Sequence, residues 1–70
     1  MSLGEIRVRV TFNPSGNTDV DEIKRRTAEL IDFVYALNRN DESERLRLIN
    51  LAMTAYEQAA MWAVKAATYE

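Results

Sequence analysis

Residues 43–68 decide the fold of this 70-residue chain, and they read SERLRLINLAMTAYEQAAMWAVKAAT. No Gly or Pro interrupts the run, and its apolar residues recur three and four apart, a spacing that predicts a helix. We define a first stripe along this helix as Leu46, Ile49, Met53, Tyr56, Ala60, Ala63 and Ala67. We define a second stripe, rotated about the axis, as Leu48, Leu51, Ala55, Ala59, Trp62, Ala66 and Tyr69. One partner helix covers only one stripe, so the pattern predicts further neighbours.

The composition limits the chemistry that the chain can perform. Seventy residues form one domain, 1–70, of a size that buries only about 60% of its unfolded surface and is marginal without staples or partners. Cys and His are both absent, which excludes disulfides, thiolate metal sites and Cys/His or Ser/His nucleophile pairs. We therefore expect no metal, no cofactor and no enzymatic activity.

The charge and hydropathy of the chain bear on its partners and its location. A net charge of −2 and a pI near 5.1 disfavour binding to a nucleic acid polymer or an anionic membrane. No apolar run approaches the roughly 18 residues that span a bilayer, and the first residues lack the pattern of a signal peptide. We expect a soluble, cytoplasmic protein.

The residues before the long helix predict one strand and one more helix. Residues 5–12 alternate, with Ile6, Val8, Val10 and Phe12 on one side, which predicts a half-buried strand. Residues 13–17, NPSGN, are typical of a turn. Helices are expected at about 19–38 and about 42–68, joined by a short connection at 39–42 that makes them antiparallel. The predicted fold class is small α+β, mainly α: a strand followed by a two-helix hairpin.

Helix caps can be proposed from the same residues. Thr18 or Asp19 is the expected N-cap of the first helix, and Asp19 and Glu22 have the spacing of a capping box. Asp41 or Ser43 is the expected N-cap of the second helix.

A solitary strand leaves a row of unpaired backbone groups. We predict that it pairs with the same strand of another copy about a two-fold axis, so that strands pair between protomers. The alternative is an extended arm that packs along the hairpin. Together with the second stripe, this reasoning predicts a homo-oligomer whose interface contains Val8, Val10, Tyr56, Ala59, Trp62, Ala63 and Ala66.

Cationic and aromatic residues suggest an anionic ligand. On a strand, Arg7 and Arg9 would lie about 6 to 7 Å apart on one face, where two guanidiniums can hold phosphate. The alternative is that these Arg residues only protect an exposed strand edge from aggregation. Residues 24–26, KRR, add a basic step, although such runs usually form a solvated face paired with acids. Phe12 and Tyr69 can stack on a base.

Four segments resemble a known family. Residues 51–68 resemble the helical-hairpin signature shared by two groups of phage anti-defence proteins, the Thoeris anti-defence sponges and the anti-CBASS cyclic-nucleotide sponges. Residues 10–16 (VTFNPSG), 20–24 (VDEIK) and 28–32 (AELID) are more similar to the Thoeris group.

The resemblance implies a binding activity without cleavage. Family members sequester glyco-cyclic ADP-ribose or cyclic di- and trinucleotides in the infected bacterial host, and they form dimers through the N-terminal part and hexamers through the helices. The residues with matching chemistry are Arg7, Arg9, Phe12, Asn13, Lys24, Arg25, Arg26 and Tyr69. A structural oligomerisation or host-protein-binding module without a nucleotide ligand is the alternative.

Overall fold

All regular secondary structure in the described residues is α-helical. A computed structural model describes residues 1–39 and 43–70, and within them it contains α1 (Leu3–Val8), α2 (Thr18–Tyr35) and α3 (Ser43–Ala67) and no strand. Helices α2 and α3 form the hairpin, and α1 packs against both. The Asn17 side chain, before α2, contacts Ala67 at the end of α3, so the hairpin is antiparallel as the sequence predicts. None of the helices in the described residues has the length and apolarity that crossing a membrane requires.

The strand predicted over residues 5–12 is wrong, because residues 3–8 form α1. The Glu5 backbone N–H donates to Ser2 Oγ at 3.1 Å, and the Ser2 N–H donates to Glu5 Oε1 at 2.7 Å. These two bonds form a capping box, which satisfies N–H groups at the start of the helix and outweighs the strand preference of the β-branched residues that follow. Without a strand in the described residues, strand pairing between protomers is wrong as well.

Helix α1 ends at a left-handed residue. Arg9 adopts φ 56° and ψ 59°, and its N–H donates to Ile6 O at 3.2 Å while the Val10 N–H donates to Glu5 O at 3.0 Å. This pair of bonds is a Schellman motif, in which Gly is the usual residue because a Cβ is strained at positive φ. The motif turns the chain, so Arg7 and Arg9 do not have the spacing of two residues on one strand face.

The core lies where α1 meets the hairpin. Its buried residues are Val8, Ala28, Ile31, Ile49 and Met53. The N-terminal end of α1 is fixed to α2, because the Gly4 N–H donates to Asp32 Oδ1 at 2.7 Å. A Cβ at Gly4 would lie 2.1 Å from the Ala28 carbonyl oxygen, so only Gly allows this approach.

The two stripes of α3 have different surroundings. In the first stripe, Ile49, Met53 and Ala60 are buried, and Tyr56 packs against the core. All seven residues of the second stripe are exposed, including Leu51 at 54% and Trp62 at 69%. The protomer therefore covers one stripe only.

The side-chain amide of Asn17 joins the start of α2 to the end of α3. Asn17 is the N-cap of α2 and replaces the expected Thr18 or Asp19: its Oδ1 accepts from the N–H groups of Asp19 at 2.7 Å and Val20 at 3.3 Å. Its Nδ2 donates to Ala67 O at 3.2 Å. Asn is among the best N-cap residues, and its amide carries a donor as well as an acceptor. The cap predicted at Asp41 lies outside the described residues, and Ser43 is the first residue of α3.

Candidate ligand-binding site

A cleft of about 670 Å³ lies between the N-terminal segment and the C-terminal half of α3. Residues 7–15 form one wall, and residues 54–68 of the chain contribute the other. Helix α2 adds Val20 and Lys24. The volume is in the range of cavities that hold small ligands.

The cleft gathers five of the eight residues that the sequence indicated for ligand binding: Arg7, Arg9, Phe12, Asn13 and Lys24. Arg25, Arg26 and Tyr69 do not line it. The N-terminal segment brings the five together because it runs along the hairpin groove, with Gly4 beside Asp32 and Phe12 beside Lys24.

Lys24 is buried and supports the turn that follows α1. Its side chain is 8% exposed, and its Nζ donates to Arg9 O at 3.1 Å and also to Phe12 O. Burial lowers the pKa of the Lys24 ammonium, and the nearby Arg9 lowers it further. The ammonium thus holds the backbone of residues 9–12 at the edge of the cleft that Lys24 helps to line.

Arg9 and Phe12 form the accessible cationic and aromatic pair of the cleft. The Arg9 guanidinium carbon lies 4.8 Å from the centroid of the Phe12 ring, a cation–π contact. Both residues are exposed, and Arg9 forms no ion pair with any described residue. A phosphate on the guanidinium and a base on the ring are the ligand groups that this pair can accept.

Arg7 is the second guanidinium in the cleft, and it already has protein partners. Its Nη2 donates to Glu57 Oε2 at 3.0 Å and to Thr54 Oγ1 at 3.4 Å. The Arg7 side chain therefore links α1 to α3 at the cleft.

Asn13 organises the turn rather than presenting free polar groups. Its Nδ2 donates to Asn17 O and to Asp21 Oδ1, both at 2.9 Å, and its Oδ1 accepts from Ser15 Oγ at 2.8 Å. The Gly16 N–H donates to Asn13 O at 3.2 Å, which completes the turn predicted over 13–17.

Arg25 and Arg26 lie on the solvated face of α2. Arg25 pairs with Glu22 and Glu29, and Arg26 Nε lies 2.6 Å from Glu22 Oε2. The hydrogen bonds from Arg26 and then Arg25 lower the pKa of the Glu22 carboxyl. Tyr69, beyond the end of α3, is 84% exposed.

The residues expected at an oligomer interface fall into three groups that differ in exposure. Val8 is buried in the protomer core, and Val10 and Tyr56 pack against that core. Ala63 is half-buried. Ala59, Trp62 and Ala66 are exposed on the second stripe, where Lys65 Nζ lies 5.4 Å from the Trp62 ring centroid.

Sequence reasoning missed the α3 wall of the cleft, which includes Thr54, Glu57, Gln58 and Met61. These four residues also recur three and four apart, and they form a mixed polar face between the two stripes. That spacing is the signal that identifies them as a shared surface.

The described residues thus form a helical hairpin whose cleft is lined by cationic and aromatic side chains. The family described as Acb2/Tad1, hairpin domain, matches residues 3–68. The match covers nearly the whole chain, so the chain belongs to this family, and the resemblance noted from the sequence is confirmed. The family is one of domains that sequester cyclic nucleotides rather than one of enzymes. No curated protein and no solved structure matches the chain.

Proposed function

We propose that this chain is an anti-defence sponge that binds a cyclic nucleotide immune signal in the cleft and holds it without cleaving it. The observation that carries the proposal is the accessible Arg9–Phe12 pair, with a guanidinium 4.8 Å from the ring centroid, at a cleft of about 670 Å³. Membership of the sponge family supports the same function. The ligand class is glyco-cyclic ADP-ribose, cyclic oligonucleotides, or both, and the N-terminal motifs favour the Thoeris group.

The residues that line the cleft are better suited to binding a nucleotide than to cleaving it. Phosphate oxygens accept charge-assisted hydrogen bonds from a guanidinium, and a purine stacks on a Phe ring. Among the described residues that line the cleft, Glu57 is the acidic one, and it is paired with Arg7. A paired carboxylate of this kind is poorly placed to act as a general base.

A bind-and-release experiment tests the function. The purified protein is mixed with glyco-cyclic ADP-ribose and a panel of cyclic di- and trinucleotides, binding is measured by calorimetry, and the heated complex is analysed by mass spectrometry. Recovery of an intact ligand supports a sponge. Absence of binding across the panel contradicts it, and an altered nucleotide indicates an enzyme.

Arg9→Gly tests the position of the site. Gly is the preferred residue at φ 56°, so this variant removes the guanidinium without straining the end of α1. Loss of a charge-assisted hydrogen bond of about 1.5–3 kcal/mol predicts roughly ten- to hundredfold weaker binding.

Arg25→Ala is the matched control for Arg9→Gly. It also removes one exposed guanidinium, but from the surface ion pairs of α2 and away from the cleft. We expect its affinity to equal that of the unmodified chain. Equal affinities for Arg9→Gly and Arg25→Ala would place the ligand elsewhere.

We further propose that the protein acts as a homo-oligomer, dimer-based and most simply a hexamer, in the cytoplasm of an infected bacterium. The exposed second stripe, with Ala59, Trp62 and Ala66, supplies an apolar surface for such contacts. The same stripe favours a second candidate function, an oligomerisation or host-protein-binding module. That module would assemble normally and bind no member of the nucleotide panel.

A further inference from the structure

The pair formed by Arg7 and Glu57 lies at the point where α1 meets α3. Arg7 Nη2 is 3.0 Å from Glu57 Oε2, and the two side chains are 25% and 29% exposed. Both residues line the cleft. A charge pair in this position is less screened by solvent than the more exposed pairs of α2.

Arg7 is incompletely satisfied by its protein partners. A guanidinium carries five N–H donors and usually binds a carboxylate with two parallel hydrogen bonds. Here only Nη2 donates, to Glu57 and to Thr54, and the buried Nε–H has no hydrogen-bond partner among the described residues. The arrangement leaves a guanidinium with donors to spare beside the cleft.

Glu57 is the one acidic residue among the described residues that line the cleft. The other charged residues that line the cleft within the described ranges are the cations Arg7, Arg9 and Lys24. A cationic lining attracts phosphate, whereas a carboxylate in the same cleft repels it and occupies one of the guanidiniums.

We propose that Glu57 is a built-in competitor of the ligand: its carboxylate holds Arg7 in the empty cleft, and a ligand phosphate must displace it. The inference rests on the proposed function, because it assigns a regulatory role within the same site. Glu57 thereby sets the affinity of the cleft below what its three cations would give. The released Nη2 is the donor that a phosphate takes over, next to the Nε–H that has no partner among the described residues.

Glu57→Gln tests the proposal because it removes the charge and keeps the shape. The Gln carbonyl oxygen still accepts from Arg7, so the contact between α1 and α3 is retained. We expect the variant to bind the tightest ligand of the panel roughly tenfold more strongly at about 50 mM salt. The gain should shrink at about 0.5 M salt, where charge repulsion is screened.

Glu44→Gln is the matched control, because it makes the same change of charge on the same helix. Glu44 pairs with Arg47 at 2.7 Å and does not line the cleft. The affinity of Glu44→Gln for the ligand should equal that of the unmodified chain. This comparison separates a local effect of Glu57 from an effect of net charge.

Two results overturn the proposal. Unchanged affinity in Glu57→Gln means that the carboxylate does not compete, and weaker binding means that it accepts a hydrogen bond from the ligand.

A second readout keeps the proposal separate from the proposed function. If no nucleotide binds the unmodified chain, the function fails, and inorganic pyrophosphate then serves as the probe. The NMR resonance of the Arg7 Nε–H is assigned by its loss in Arg7→Lys. During a titration with pyrophosphate, this resonance should shift at a lower pyrophosphate concentration in Glu57→Gln than in Glu44→Gln. Equal responses of the two variants would overturn the role of Glu57.

Discussion

The two stripes of α3 are alike in sequence and opposite in environment. Met53 in the first stripe is 2% exposed, whereas Leu51, two residues earlier in the second stripe, is 54% exposed. The first stripe is covered because α1 and α2 both approach it, through core residues such as Val8 and Ile31. The second stripe has no such neighbour among the described residues. Apolar periodicity thus identifies surfaces that can be covered, and the packing of the other two helices, chiefly α2, decides which one the protomer covers itself.

The largest expected effect comes from breaking the first stripe. Met53→Ala removes a buried side chain and leaves a cavity, so we expect a loss of about 2–5 kcal/mol in the free energy of unfolding, measured by urea denaturation. Leu51→Ala on the second stripe is the control, and at low protein concentration we expect it to lower stability by less than about 1 kcal/mol. Similar losses in both variants would show that the second stripe is buried.

A smaller effect is expected from moving α1 away from α2. In Gly4→Ala the new Cβ would lie 2.1 Å from the Ala28 carbonyl oxygen, so α1 must shift. The overpacking predicts a loss of about 1–3 kcal/mol in thermal unfolding, with increased proteolysis near α1 as it separates from the hairpin. An unchanged melting temperature would mean that α1 contributes little to covering the core.

The smallest effect on the stability of the protomer is expected on the second stripe. Trp62 is 69% exposed, so in a dilute, dissociated sample Trp62→Ala should change stability by no more than about 0.5 kcal/mol. The same change should lower the mass measured by light scattering, because it removes the largest apolar side chain of the stripe. Asn50→Ala, at an exposed position outside both stripes, should leave the mass unchanged. A monomeric unmodified chain would contradict the proposed oligomer.

The sequence was sufficient to predict the hairpin but not the path of the N-terminal segment. Long periodic runs specify α2 and α3 because burial of a stripe is a sum over many residues. Residues 3–8 carry two conflicting signals, an alternation typical of a strand and the Ser2–Glu5 capping box. The box decides the outcome because Gly4 allows the short helix to pack closely on α2.

The candidate site was predictable in residue type and less so in arrangement. Lys24 and Arg25 are neighbours in sequence but point about 100° apart around a helix. Lys24 turns toward the carbonyl groups of residues 9–12, whereas Arg25 pairs with surface acids. The packing of α1 on the hairpin determines whether Lys24 or Arg25 lines the cleft. It also determines that the face of α3 that contains Glu57 becomes a wall of the cleft.

The single amide of Asn17 has a consequence for the motions of the molecule. It caps the first turn of α2 and holds the last carbonyl of α3, so neither helix end can fray without releasing the other. The cleft reaches this end of the hairpin through Thr68. Opening fluctuations here are therefore expected to be concerted, and in hydrogen exchange the amides of Asp19, Val20 and Thr68 should lose protection as one cooperative unit.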